Sequence, residues 1–161
     1  IRLSDFLRGS LALGERESIP LAEEFALARR YLAVEEVRFG DRLRVAEEIA
    51  PDCEACGLPP LLLQPLVENA VKHGIAGMIG GGTVRLTAAR EAEEVVIRVE
   101  NPFDPENEPP SRLGIGQTHV RRRLAVRYGD RASFAAGAQG EIYRVELRLP
   151  CESPIASSSR A

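Results

Sequence analysis

The chain has 161 residues, 44% of them hydrophobic and 28% charged, which suits one soluble globular domain with a core of its own. Its net charge of -3 argues against a basic nucleic-acid surface, and no apolar run approaches the ~20 residues that cross a bilayer. Three cysteines, Cys53, Cys56 and Cys151, are an odd number for a disulfide framework and point to a reducing compartment.

The elements follow in order. Ile1 already lies within a helical pattern, so a longer parent protein is expected. Leu3, Phe6, Leu7 and Leu11 mark a short amphipathic helix with Ser4 or Asp5 near its start, broken across Gly14 to Ser18. Pro20 opens a second helix whose first turn holds Glu23 and Glu24, where they suit the helix dipole. Its apolar face reads Phe25, Ala28, Leu32 and Val37, and Phe39-Gly40 ends it. Leu43 to Ile49 alternates as a strand. Cys53-Glu54-Ala55-Cys56 has the spacing of a zinc or redox pair. No further cysteine or histidine completes four ligands, so thiols in a loop are expected.

Residues 58–74, LPPLLLQPLVENAVKHG, carry the most chemistry. At helical period Leu62, Leu66, Val67, Ala70 and Val71 share a buried face, while Glu68, Asn69, Lys72 and His73 crowd its margin. Amide and carboxylate oxygens can ligate a hard cation such as Mg²⁺, and a lysine can meet phosphate as a point charge. A metal–nucleotide site and an ordinary helix with a wet edge both fit that pattern.

Gly74 to Gly82 reads as a glycine-rich turn, and Val84 to Ala88 and Val95 to Val99 as a hairpin joined near Arg90-Glu91. Residues 102–112, PFDPENEPPSR, hold four prolines and no period, which predicts a mobile loop. Gly114-Ile115-Gly116 precedes a helix through Val120, Leu124 and Tyr128, ended by Gly129. Such glycines let backbone approach a ligand, and the helix behind them offers free N–H groups to phosphate. Strands around Ala132 to Ala136 and Ile142 to Leu149 complete the core, and the serine-rich residues after Pro150 read as a disordered tail.

Four motifs in this order resemble the catalytic end of a LytS/AlgZ-like sensor histidine kinase. IPLAEEFALARRYLAVEEVRFGDRL is similar to the family's connecting helix and LPPLLLQPLVENAVKHG to its asparagine box. LGIGQTHVRRRLAVRYG is similar to its glycine box and RVELRLP to its closing strand. LSDFLRGSL resembles the end of its histidine-bearing region. The resemblance implies a GHKL-type (Bergerat) fold, an α/β two-layer sandwich with a mixed, mainly antiparallel sheet and helices on one face. It divides the chain into a remnant of the dimerisation region (1–17), an ATP-binding catalytic domain (18–150) and a tail (151–161).

By the same resemblance ATP and Mg²⁺ are the expected ligands. Asn69 would coordinate Mg²⁺, with Glu68 supporting the metal or its water. Lys72 would reach the phosphates, with His73 beside them, and Gly114, Ile115 and Gly116 would border them, with residues 102–113 as the lid. Arg121 and Arg122 would either reach the phosphates or stand as solvated helix arginines. Asn101 takes the place of the aspartate that accepts from the adenine amino group, without its charge-assisted strength. Tyr143 replaces a small hydroxyl residue near the base, Pro102 and Phe103 replace glycines, and His119 replaces an asparagine. ATP-hydrolysing relatives place a glutamate one turn before the metal asparagine; here that position is Pro65, which cannot serve as a base.

The expected function is therefore ATP γ-phosphoryl transfer to a histidine upstream of this stretch and thence to a response regulator. His73 and His119 do not match the acceptor, so the chain by itself is expected not to autophosphorylate. The variant adenine pocket leaves a second reading: an interaction module that keeps the fold and binds nucleotide weakly. Expected partners are the histidine-bearing dimerisation domain, in a homodimer, and a response regulator, with no nucleic acid. The parent is expected to be anchored in a bacterial inner membrane through other segments, with this one facing the cytoplasm.

Overall fold

The structure, a computed structural model, describes residues 16–107 and 112–153. The amphipathic helix read over Leu3–Leu11, the centre of the proline-rich loop and the tail beyond 153 lie outside them. Among the described residues seven strands and three α-helices follow in order: β1 (Ile19–Pro20), α1 (Leu21–Phe39), β2 (Leu43–Ile49), β3 (Gly57–Leu58), α2 (Gln64–Asn69), β4 (Gly82–Glu91), β5 (Glu94–Pro102), α3 (Ile115–Tyr128), β6 (Ser133–Gln139) and β7 (Ile142–Pro150).

Five strands form one sheet in the order β2-β4-β5-β7-β6, with β1 and β3 paired apart from it. β2 runs parallel to β4, and the other pairs are antiparallel. A parallel pair needs a crossover, and the segment carrying α2 supplies it. Alternation places Val84, Leu86 and Ala88, then Val95, Ile97 and Val99, then Val145, Leu147 and Leu149 in the core beneath the helices. On the outward face the intervening residues pair across strands, Arg98 with Glu146 at 2.7 Å and Arg144 with Glu100 at 2.6 Å. The expected mixed, mainly antiparallel sheet with helices on one face is the architecture observed.

Three local readings change. The β4–β5 hairpin turns at Ala92, whose φ is 55°, because Arg90 and Glu91 are still paired with Val95 and Glu94. Val37 is 87% exposed rather than in the face of α1. At 100° per residue it stands about 140° round from Leu32, whereas Leu21, Phe25, Ala28 and Leu32 keep one buried stripe. The first N–H groups of α1 find backbone partners, Leu21 N–H on Cys56 O at 2.8 Å and Ala22 N–H on Glu54 O at 3.0 Å.

The cysteines are the third correction. Cys56 and Cys151 form a disulfide, their Cα atoms 4.8 Å apart, because the end of β7 returns beside β3 and Gly57 bridges Glu152. Cys53 is a buried free thiol whose Sγ lies 3.1 Å from Ala50 O, and burial pushes its pKa up. No helix among the described residues is long and apolar enough to cross a membrane.

Candidate functional site

The approach to α2 is a bonded loop rather than a continuous helix. After Pro59 and Pro60 comes Leu61, whose φ of 58° lies in the left-handed region that side chains avoid. Glu24, buried in α1, accepts N–H bonds from Leu61, from Leu62 at 3.0 Å and from Leu63 at 3.0 Å. Arg123 of α3 donates to the carbonyls of Pro60 at 2.7 Å and Leu61 at 3.3 Å. Burial pushes the Glu24 carboxyl above its ordinary range, against the pull of the N–H donors and Arg123. Its oxygens therefore accept at the start of α2 while it keeps its place in the first turn of its own helix.

Past its first turn α2 widens into a π turn over Ala70–Ile75, with Ala76 N–H bonded to Val71 O at 2.9 Å. Such bulges rotate the side chains that follow and recur at functional sites. Asn69 and His73 both line a cleft here. Gly74 packs on β5 so closely that a Cβ would stand 2.5 Å from Asn101 Nδ2.

The cleft encloses about 450 Å³, within the range of small-molecule sites. Asn101 and Tyr143, Cα partners across β5 and β7, lie on its sheet side, and Gly114 and Gln117 at the start of α3 face Asn69 and His73. Asn101 Nδ2 donates to Pro102 O at 2.8 Å, so its Oδ1 remains as an acceptor. The Tyr143 hydroxyl lies 3.4 Å from Gln117 Oε1, and its ring centroid is 6.4 Å from that of Phe103.

Of the residues singled out in the sequence, Asn69, His73, Asn101, Pro102, Phe103, Gly114 and Tyr143 meet at this cleft. Glu68, Lys72, Ile115, Gly116 and Arg121 do not line it. Glu68 accepts from Gln64 Nε2 at 2.9 Å, and its charge helps push Tyr31 of α1 up to about 12, burial being the larger cause. Lys72 and Arg121 are exposed, and Ile115 is 93% exposed. Gly116 is a packing residue: a Cβ there would meet Pro65 Cβ at 3.1 Å. Arg122 lines a different cleft, with His119, Arg123 and Arg127.

Sequence reasoning did not single out Gln117, and it placed Asp104 and Arg112 only within the expected lid; all three line the site. Gln117 had a signal, an amide one turn past Gly114 in an otherwise glycine-rich helix start. Among the described residues no three His, Cys, Asp or Glu side chains cluster as a metal site. The donor set does fit one oxygen ligand for a hard cation. A Cβ on Gly114 would come within 3.9 Å of Asn69 Oδ1, so that amide stands at the mouth of α3. Mg²⁺ commonly takes one or two protein ligands and completes its shell with water and phosphate.

A family model described as histidine kinase matches residues 1–43. The sensor histidine kinase BtsS of Escherichia coli (strain K12) is 34% identical over 149 residues, covering 92% of this chain and 26% of that protein. The sensor protein LytS of Staphylococcus haemolyticus is 29% identical over 146 residues, covering 83% and 25%. The chain thus spans about a quarter of the length of these relatives. Among solved structures, the nucleotide-free catalytic domain of histidine kinase ThkA superposes with a TM-score of 0.62 at 16% identity, over 83% of this chain and 94% of that one. By these relationships the chain belongs to the sensor histidine kinases, and its described residues have the fold of their catalytic domains.

Proposed function

We propose that the cleft between α2 and α3 binds ATP with Mg²⁺ for transfer of the γ-phosphoryl group to a histidine upstream of this stretch of chain, and onward to a response regulator. The observation that carries this is the meeting of Asn69, Asn101 and Gly114, from three separate stretches of the chain, at one cleft. Each has a task there. Asn101 Oδ1 accepts from an exocyclic amino group of the base. The open start of α3 offers N–H groups to phosphate. Asn69 Oδ1 ligates the cation, which neutralises phosphate charge when bound. Lys72, Glu68 and Arg121 reach the nucleotide, in this reading, only by moving from their exposed positions, as lid closure over 102–113 would require. Pro65 supplies no base for water, so transfer is favoured over hydrolysis.

In the cell the domain acts from the cytoplasmic side, within a homodimer whose dimerisation region carries the acceptor. Calorimetric titration with a non-hydrolysable ATP analogue, with and without Mg²⁺, tests the reading. Magnesium-dependent binding is expected, and Asn69→Ala should abolish it while shifting stability by less than about 1 kcal/mol, since the side chain is only half-buried. Equal binding by the mutant would remove Asn69 from the metal site. The crowding of Tyr143 and Phe103 on the base side favours one second reading, an interaction module of weak affinity. A folded chain that shows no heat with either form of the analogue would select it.

A further inference from the structure

Three helices border the loop 59–63, and two of them bond to it from opposite sides. Glu24 takes three consecutive N–H groups, those of Leu61, Leu62 and Leu63. Leu63 is also where α2 begins, its carbonyl accepting from Leu66 and Val67 N–H, each at 3.0 Å. The carboxylate is therefore bound in a nest of backbone donors at the start of the helix that carries Asn69. Arg123 takes two of the loop's carbonyls, at Pro60 and Leu61, and belongs to the helix that carries Gly114 and Gln117 at its other end. The two helices touch again where Gly116 meets Pro65. Besides the core they share, α2 and α3 are thus linked at Gly116–Pro65 and through the loop, which Glu24 ties to α1 and Arg123 to α3.

We infer that Glu24 and Arg123, neither of which lines the cleft, are positioning residues that hold Asn69 and Gly114 at the separation the nucleotide needs. The inference rests on the nucleotide reading of the cleft and extends it to residues outside. An ordinary core contact would cost stability alone. A brace on α2 also alters where Asn69 stands in a chain that is still folded. The left-handed backbone at Leu61 sharpens this, because a loop freed of Glu24 has a lower-energy conformation to relax into.

Glu24→Gln keeps size but replaces an acceptor oxygen by a donor, and Arg123→Met keeps length but removes both donors. Amide exchange and amide NMR shifts of each variant are measured without ligand. Affinity for the ATP analogue with Mg²⁺ is measured well below the unfolding temperature. Expected are loss of protection at Leu61–Leu63 in Glu24→Gln, displaced signals at Asn69, His73 and Gly114, and affinity at least tenfold weaker. Sheet amides over Val96–Val99 should stay protected. Arg123→Lys should recover part of what Arg123→Met loses.

Unchanged signals at Asn69 and His73 with parental affinity would reduce the pair to a loop anchor and overturn the inference. If the parent binds no nucleotide, the nucleotide reading fails by itself. The shifts at Asn69, His73 and Gly114 then decide whether Glu24 and Arg123 position the helices. Should Glu24→Gln not fold, the Arg123 pair of variants carries the same readouts on a half-buried side chain.

Discussion

Gly74 and Asn101 fit each other as a missing side chain fits a present one. A methyl at 74 would lie 2.5 Å from Asn101 Nδ2 and 2.6 Å from its Cβ, both well inside van der Waals contact. Placing it means turning the amide away, which breaks the 2.8 Å bond to Pro102 O and moves Oδ1, and also parting the two backbones, because the Asn101 Cβ is fixed to its strand. Gly74→Ala should therefore destabilise the chain by roughly 1–3 kcal/mol in urea unfolding and weaken ATP-analogue binding together. In the same assay Asn101→Ala, which removes Nδ2 and Cγ but keeps the Cβ 2.6 Å away, should relieve only part of the cost of Gly74→Ala, a coupling that only contacting residues show. Additive costs would mean the two do not touch. Sequence motifs find Asn69 and Asn101 because each is an unusual polar residue in an apolar run. They cannot find this fit, since nothing in the chain links a glycine of one element to an amide of another before the sheet brings them together.

Periodicity is reliable for the parts of an element that face the core and fails at its ends. α1 shows both cases: Leu32 is 1% exposed in its buried stripe, while Val37, apolar and only five residues on, has rotated into solvent. Leu32→Ala should cost about 2–5 kcal/mol by the cavity it leaves, and Val37→Ala less than about 0.5 kcal/mol, both read from denaturant midpoints. A large effect at Val37 would place a contact on that face which the described residues do not contain. The strands β4, β5 and β7 were legible as alternating runs because one face is buried and the other carries paired arginines and glutamates. α2 was legible as apolar and helical but not as a loop, one turn and a wide turn. Its interruption comes from Glu24 and Arg123, whose bonds compete with the helical ones at residues 60–63.

At the scale of the whole molecule, the parallel pairing of β2 with β4 and the return of β7 to β3 bring the two ends of the domain together. That return, not any motif, makes a disulfide of Cys56 and Cys151, which stand 95 residues apart in sequence. The C-x-x-C spacing drew the eye to the wrong partner, Cys53, which stays a free buried thiol. Closing a loop of that length restricts the unfolded chain by about 4–5 kcal/mol in the chain-entropy account, a large share of the ~5–15 kcal/mol that stabilises a domain. Reduction should therefore lower the melting temperature by roughly 10 °C, by the usual scaling for domains of this size. The backbone bonds of Gly57 to Glu152 and Cys151 to Glu93 do not involve the sulfurs, so the fold itself should persist on reduction. Cys151→Ser should melt at the reduced temperature whether or not dithiothreitol is present, and Cys53→Ser should keep the full response to it. A parent chain whose melting is the same in both conditions, with three alkylatable thiols before reduction, would show that the pair does not close in solution. The reducing compartment inferred from an odd cysteine count would then stand, with the bridge left to the backbone alone.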